Sequence, residues 1–320
     1  MTVIARDAKQ LSPVAFIART IITLGLSGRL PTTSWFQEVL EIGSGTVQKA
    51  LQELKKSGAV TLVSRGHQGT FVVAWNFALL WSAARIPPVH MLLPPRGSLE
   101  ATQVASALVE QCGRWGAIAT VGYLRGARSR LAAFARDEAD IVLLSSGSAQ
   151  MLMAHAMEEG YALFEVGHGS YYRPDSLVVV EKTEALARAR PRVGIDFHSS
   201  DHQRLTHAQF PESRYEYVEI DFTLLPRAVF LGEIDTGVWH QEPSLIPLEK
   251  IGLRIRPLDN PDALRMAESI SSAVLVAHTA SPVARLLQLI DFDEVKKQAA
   301  LPLNAPDATL ACVPDTLRFR

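Results

Sequence analysis

Cysteine is almost absent: the 320 residues hold only Cys112 and Cys312, 200 positions apart. With no CxxC and no Cys/His spacing of a zinc site, a disulfide scaffold and a zinc ribbon are both excluded. Long apolar runs are also missing. The longest uncharged stretch, between Gly66 and Arg85, is interrupted by His67, Gln68, Asn76 and Ser82 and falls short of the roughly 20 apolar residues of a membrane helix. The first ten residues carry Arg6, Asp7 and Lys9 in place of an apolar leader, so the expectation is a cytoplasmic protein with no membrane segment. Catalytic signatures are lacking too: no GxSxG elbow, P-loop, GxGxxG after a strand, or HExxH occurs. Lys182, Lys250, Lys296 and Lys297 sit in charged surroundings unsuited to a Schiff base. The expectation is a protein that is not an enzyme and carries no cofactor. The alternative is a small-molecule-transforming α/β enzyme with a vestigial N-terminal head.

What is present is an ordinary globular composition, 48% hydrophobic and 20% charged, over a length that suits two domains. The net charge of -1 conceals an asymmetry. Residues 1–75 hold eight basic side chains against four acidic ones, and the remainder holds 24 against 29. A basic head on an acidic body is the distribution of a chain whose first domain meets a polyanion.

That head reads as three helices and a hairpin. Ser12-Pro13 starts the first helix, whose apolar stripe is Val14, Ile17, Ile21 and Leu24. Thr33-Ser34 is the expected cap of a second helix bearing Trp35, Phe36, Val39 and Leu40. Ser44 is the expected cap of a third, which buries Val47, Ala50, Leu51 and Leu54. Two β-rich runs, 60–64 and 70–73, flank the glycine-bearing loop Arg65-Gly66-His67-Gln68-Gly69. This order is that of a winged helix-turn-helix, whose third helix enters the major groove of DNA.

The residues also resemble the GntR-type regulators. Gly28-Arg29-Leu30-Pro31-Thr32-Thr33 is similar to their start of helix two. Thr46-Val47-Gln48-Lys49-Ala50-Leu51 with Leu54 and Gly58 is similar to their recognition helix, and Arg65 through Val72 to their wing. The resemblance implies contacts to double-stranded DNA from Thr32, Thr33, Ser44, Gly45, Thr46, Gln48, Lys49, Arg65, His67 and Gln68. It also has a departure: the family commonly places arginines where Ser44 and Gln48 stand. Without them binding weakens or changes its sequence preference, Gln48 suiting adenine. A winged helix used only for protein contact or dimerisation is the alternative reading.

Residues 75–88 form an aromatic connector, with Trp75, Phe77 and Trp81 before Pro87-Pro88, suited to a dimer contact or to a core helix. From residue 89 the pattern alternates. Strands are expected over 90–93, 118–123, 141–145, 162–166, 177–180, 193–196, 215–220, 236–239, 253–256 and 273–277. Helices are expected over 98–114, 127–137, 149–159, 184–190, 224–231, 261–269 and 282–290. Such alternation predicts an α/β body with mostly parallel sheets. Two phrases of helix, acidic turn and strand, beginning at Leu131 and at Leu225, make that body bilobal and similar to the type 2 periplasmic-binding-protein fold, in which a ligand lies between two lobes. Head, connector and body together resemble the YhfZ family of transcriptional regulators. The expected fold is thus an α+β winged helix-turn-helix domain (1–74), a connector (75–88) and an α/β bilobal type 2 periplasmic-binding-protein-like effector domain (89–320). The expected assembly is a homodimer.

Ligands of open α/β sheets lie beyond the C-terminal ends of strands. Three hydroxyl-bearing loops occupy such places: Arg96-Gly97-Ser98, Ser145-Ser146 with Ser148, and His198-Ser199-Ser200. Their donors suit a carboxylate or phosphate effector; any single serine there is more often only a helix cap, and it is the three loops together that point to a ligand. Of the aromatics at strand ends (Tyr123, Tyr171, Tyr172, Trp239, with His240 beside them), Tyr123 and Trp239 are the expected cleft residues. Asp196, His198, Asp201, His202 and His207 form a metal-like cluster, read here as polar surface or organic-ligand contacts, with no metal expected.

Overall fold

The computed structural model describes residues 10–95, 98–154, 160–173, 175–183, 188–241 and 247–301. The head contains α1 (Pro13–Leu24), α2 (Thr33–Leu40), α3 (Ser44–Lys56) and the antiparallel pair β1 (Val60–Ser64) and β2 (Thr70–Trp75), joined by a 3-10 turn at Gly66–Gln68. Ser12 caps α1 through its hydroxyl, with Pro13 in the first turn. Two expected caps are displaced by one residue. Thr32, not Thr33, caps α2 by accepting from the Trp35 amide at 3.2 Å. Gly43 stands at the α3 cap position with no side-chain bond, leaving Ser44 inside the first turn. The segment 27–30 pairs with β2, Leu30 donating its amide to the Thr70 carbonyl at 2.8 Å and Ser27 to that of Val72 at 2.8 Å.

The connector is a helix, α4 (Phe77–Ala84), capped by Asn76 and stopped at Arg85 in the left-handed conformation. Phe77, Leu80, Trp81 and Ala84 are buried in one apolar core that includes Phe16, Ile17 and Ile21 of the head and Met91, Leu108 and Leu275 of the body. Of the two readings of this segment, the core helix is the one its buried face fits.

The body begins with β3 (Val89–Leu93), α5 (Leu99–Arg114), β4 (Ala119–Tyr123), α6 (Ala127–Ala135), β5 (Ile141–Ser145), α7 (Ser146–Leu152) and β6 (Tyr161–Gly167). The chain then crosses to a second lobe: β7 (Leu177–Lys182), β8 (Arg192–Ile195), α8 (Ser200–Gln209), β9 (Glu216–Glu219), α9 (Leu225–Leu231), β10 (Thr236–His240), β11 (Leu253–Pro257) and α10 (Pro261–Ser269). It returns through β12 (Ala273–His278) into the first sheet and ends the described residues with α11 (Pro282–Leu287) and α12 (Phe292–Ala299). The expected helix over 149–159 starts earlier, at Ser146, and 155–159 lie outside the described residues, as do 184–187 of the helix expected over 184–190.

The sheets are ordered β4-β3-β5-β12-β6 and β9-β8-β10-β7-β11. Each lobe thus follows one plan, with its second, first and third strands, then a strand borrowed from the chain's passage through the other lobe, then its fourth. The expectation of mostly parallel sheets is corrected. In each sheet two pairings are parallel and two, those of the borrowed strand, antiparallel. Helical crossovers impose parallel pairing only on strands joined within a lobe. The crossing strands β7 and β12 enter without one. Where the chain crosses, the two passages are stitched together: the amides of Tyr171 and Tyr172 donate to the Ser271 carbonyl at 2.8 and 3.2 Å, and the Ala273 amide to Ser170 Oγ at 2.9 Å.

Candidate functional site

The C-terminal ends of the parallel strands of both lobes face each other across a cleft that encloses a cavity of about 40 Å³. That volume holds a few waters. The first lobe lines it with Pro95, Ser98, Gly126, Arg130 and Ser148, the crossing segment with Tyr171 and Tyr172, and the second lobe with Ser199, Ser200, Asp201, Phe222, Thr223 and His240. The three hydroxyl-bearing loops therefore converge, although most of the serines also cap helices. Ser98, Ser145 and Ser199 accept from the amides of Ala101, Ser148 and His202 at 3.2, 3.0 and 3.3 Å. Ser146 turns away and donates to the Ser269 carbonyl at 2.7 Å. Arg96 and Gly97 lie outside the described residues. His198 enters through its backbone: its carbonyl oxygen stands 2.9 Å from where a Gly126 Cβ would be, so the lobes touch there only because residue 126 is glycine.

Both aromatic choices are corrected. Trp239 is buried on the far side of β10 among Val178, Val180 and Leu225, and its neighbour His240 faces the cleft. Successive side chains of a strand point to opposite faces, so an assignment one residue off selects the wrong face. Tyr123 packs on the core of the first lobe, and Tyr171 and Tyr172 hold the aromatic positions of the cavity wall.

Three polar contacts bridge the lobes. Arg125 pairs with Asp196 at 2.7 Å and with Asp221 at 2.9 Å. The hydroxyls of Ser145 and Ser148 donate to the Asp201 carboxylate, the latter at 3.2 Å. Burial pushes the Asp201 carboxyl up from its ordinary value, and the two hydroxyls pull it part of the way back. Glu100, fully buried in the first turn of α5, accepts from the backbone and side chain of Arg173 at 3.1 and 3.0 Å. Its other oxygen stands 3.2 Å from His240 Nε2, an ion-pair distance without hydrogen-bond alignment. Burial would raise the Glu100 carboxyl, but the facing His240 imidazole and the backbone amides of Glu100 and Arg173 more than offset it and hold it at about 2.

Arg130 is the residue that the sequence reading did not single out. It is 3% exposed, and its guanidinium donates to the Leu143 and Leu124 carbonyls at 3.1 and 2.9 Å and to the Tyr171 hydroxyl at 3.4 Å. These use three of its five N–H groups. No carboxylate stands within 4 Å of it among the described residues. Nothing in the sequence separates it from Arg128, two positions earlier on the same helix. The metal-like cluster disperses: His202 receives the Asp196 amide at 3.1 Å and contacts the Val238 carbonyl at 2.8 Å, while His207 contacts the Tyr217 hydroxyl at 3.1 Å. Among the described residues no group of three His, Cys, Asp or Glu side chains is placed to hold a metal ion. Burial pushes the Cys112 thiol up to about 12, which makes it unreactive.

A larger cavity of about 360 Å³ lies behind the crossing segments, between β11 and α10. Its arginines are spoken for, Arg173 on Glu100 and Arg256 on Glu181 and Asp259.

On the head, Ser44, Gly45, Thr46, Gln48 and Lys49 form one exposed face at the start of α3. With no side-chain cap at Gly43, the first amides of α3 remain open to an anion. Arg65, His67 and Gln68 are exposed on the wing, and the Arg65 guanidinium lies 4.8 Å above the Phe71 ring. Thr32 and Thr33 stand at the start of α2, Thr32 with its hydroxyl spent on the cap. Arg29 belongs with this group and was not among the expected contacts. It bridges to Phe71, and its Nε would be 2.7 Å from a Cβ at Gly69, so it lies along the wing. Its signal was its place in the motif at Gly28-Arg29.

Residues 27–72 match the helix-turn-helix domain family, and residues 77–301 match the YhfZ C-terminal domain family. The chain belongs to the YhfZ family. It is 24% identical over 279 residues to the YhfZ protein of Escherichia coli K12, covering 87% of this chain and 89% of that one. The crystal structure of YhfZ from Shigella flexneri superposes with a TM-score of 0.52 at 22% identity, over 70% of this chain and 93% of that chain. The YhfZ-type fold is thus a helix-turn-helix head on a bilobal α/β body. Among the described residues no helix is long and apolar enough to cross a membrane.

Proposed function

We propose that this YhfZ-family chain is a transcriptional regulator whose GntR-like winged helix binds an operator in double-stranded DNA as a homodimer, and whose interlobe cleft binds a small anionic effector, a carboxylate or phosphate. The head has the exposed polar and basic face of α3 and a wing flanked by Arg29 and Arg65, the equipment for base edges and phosphates. The observation that carries the effector half is Arg130, a buried guanidinium lining the cavity with two N–H groups unspent and no carboxylate within 4 Å among the described residues. A buried lone charge is costly, and an anion entering the cleft removes that cost. The enzyme reading gains nothing from the cleft, where the hydroxyls of Ser145 and Ser148 are spent on Asp201 and neither meets a histidine or lysine among the described residues. In the division proposed, 1–74 bind DNA, 75–88 connect and 89–320 hold the effector site.

The test is selection of duplexes from a random pool by the full-length protein, followed by affinity against salt. Lys49→Ala and Arg65→Ala are expected to bind more weakly, each reducing the salt slope by about 1. Equal binding by both variants overturns the DNA half. Succinate or inorganic phosphate is expected to raise the melting temperature of the wild type but not of Arg130→Gln. A shift that survives in the variant overturns the effector half.

A further inference from the structure

Resting on that reading of the cleft, we infer that the effector is a zwitterion, a small amino acid that sets its carboxylate on Arg130 and its ammonium on Asp201. Asp201 lies in the first turn of α8 and Arg130 on α6, so the two charges approach one cavity from opposite lobes. Both are nearly fully buried, 5% and 3% exposed. They do not pair with each other or with any other charge within 4 Å among the described residues: Asp201 receives only serine hydroxyls, and Arg130 donates only to carbonyls and a phenol. The other buried acids are matched, Glu100 by Arg173 and His240 and Asp196 by Arg125 at the cleft, and Asp235 by Arg192 at the far end of the second sheet. The cavity is therefore lined by one charge of each sign with no ion pair within 4 Å, Asp201 feeling Arg130 and Arg204 only from farther off.

A ligand that neutralises only one of them leaves the other buried and unpaired. A dianion such as phosphate would also face the Asp201 carboxylate, and a simple amine would face the Arg130 guanidinium. Only a molecule with both charges satisfies both walls. The surroundings agree. Tyr171, Tyr172 and Phe222 supply aromatic rings, which an ammonium tolerates better than a second anion does, and Ser98, Ser199 and Ser200 supply neutral polar groups. The size of the cavity, about 40 Å³ in this closed form, selects a short side chain.

The experiment is calorimetric titration of the full-length protein with inorganic phosphate, the twenty standard amino acids and, beside the small ones, the matching deaminated acid and decarboxylated amine, propionate and ethylamine for alanine. The expected result is binding of at least one small amino acid, with its acid and its amine each at least tenfold weaker. Asp201→Asn, nearly isosteric, is expected to lose tenfold or more for the amino acid while its weak affinity for the acid rises, the facing carboxylate being gone. Arg130→Lys, which keeps the charge, is expected to retain more of the binding than Arg130→Gln, with circular dichroism checking that each is folded. If propionate or phosphate binds as tightly as every amino acid, the zwitterion inference falls and the anionic-effector reading stands. Ethylamine binding as tightly as the amino acid overturns both. So does the failure of every amino acid, acid and amine to bind.

Discussion

The first lobe has two joints, one to the head and one to the second lobe, and they are made of different materials. Toward the head the joint is apolar. Phe77, Leu80 and Trp81 of α4 are buried against α1 in a core that continues into the first sheet. Arginines then lock its edges: Arg19 on α1 donates to the last carbonyls of α4, Ala84 and Arg85, at 2.9 and 2.8 Å, and Arg285 on α11 donates to the Thr23 carbonyl of α1 at 3.1 Å. Each places a cation on carbonyls that a helix end leaves without partners. Toward the second lobe the joint is polar, built from the Arg125, Asp201 and Glu100 contacts around a cavity. Burying apolar surface is favourable without a partner, whereas polar contacts exchange at small net cost for water or ligand. The difference predicts that head and first lobe move as one body and that the second lobe is the part free to shift against them.

The sharpest break of that comparison is in the apolar joint. Trp81→Ala is expected to destabilise the protein by about 3–5 kcal/mol, the usual cost of deleting a large core aromatic. Head and first lobe should lose hydrogen-exchange protection together in denaturant. A head that unfolds with unchanged stability while the first lobe alone loosens would mean that the shared core does not couple them.

How much of this was legible beforehand follows the range of the interactions. The head was readable almost to the residue because its signals are local: Ser12-Pro13, the wing glycines, the helical stripes. Its misplaced caps, Thr33 for Thr32 and Ser44 for Gly43, came from runs of neighbouring hydroxyl residues that only backbone geometry can rank. Most elements of the body were visible in alternation, but the antiparallel course of β7 and β12 was not, since an apolar strand gives no sign of which lobe it joins. Helix α12, packed on α5, was missed altogether. The serine loops were found by the rule that sites follow strands. Arg130 and Asp201 are held by partners distant in sequence, Leu143 and Tyr171 at 13 and 41 positions from Arg130, Ser145 and Ser148 at 56 and 53 from Asp201. No single-chain pattern carries such information.

The polar joint should open under a smaller push. Gly126 has φ +84°, and an added Cβ would meet the His198 carbonyl of the other lobe at 2.9 Å. Gly126→Ala therefore carries backbone strain of about 1–2 kcal/mol and a wedge between the lobes. The expected outcome is a larger radius of gyration in small-angle scattering and faster hydrogen exchange at the cleft. The contacts of the head with the first lobe should remain protected. An unchanged radius would mean that the lobes yield locally without separating.

The smallest effect separates the two carboxylates of the polar joint by the sign of their pH dependence. Glu100 is held at about 2, below its ordinary value, so its stabilisation is complete above the ordinary glutamate range and lost as pH falls toward 2. Asp201 is raised by burial, so its contribution runs the other way, complete below the ordinary aspartate value and lost as pH rises through the higher value of the folded state. Above the ordinary aspartate value, and until the higher value of the folded state is passed, the folded wild type therefore holds proton that the unfolded chain has released, which works against any gain of stability with pH. Asp201→Asn removes that proton, and its stability should rise more steeply with pH than that of the wild type, by less than the one-proton limit of about 1.4 kcal/mol per pH unit. Glu100→Gln should instead flatten the acid side of the curve. Parallel curves for wild type and Asp201→Asn in urea titrations across this range would mean that the Asp201 carboxyl stays as hydrated as in the unfolded chain, and that the joint is already open in solution.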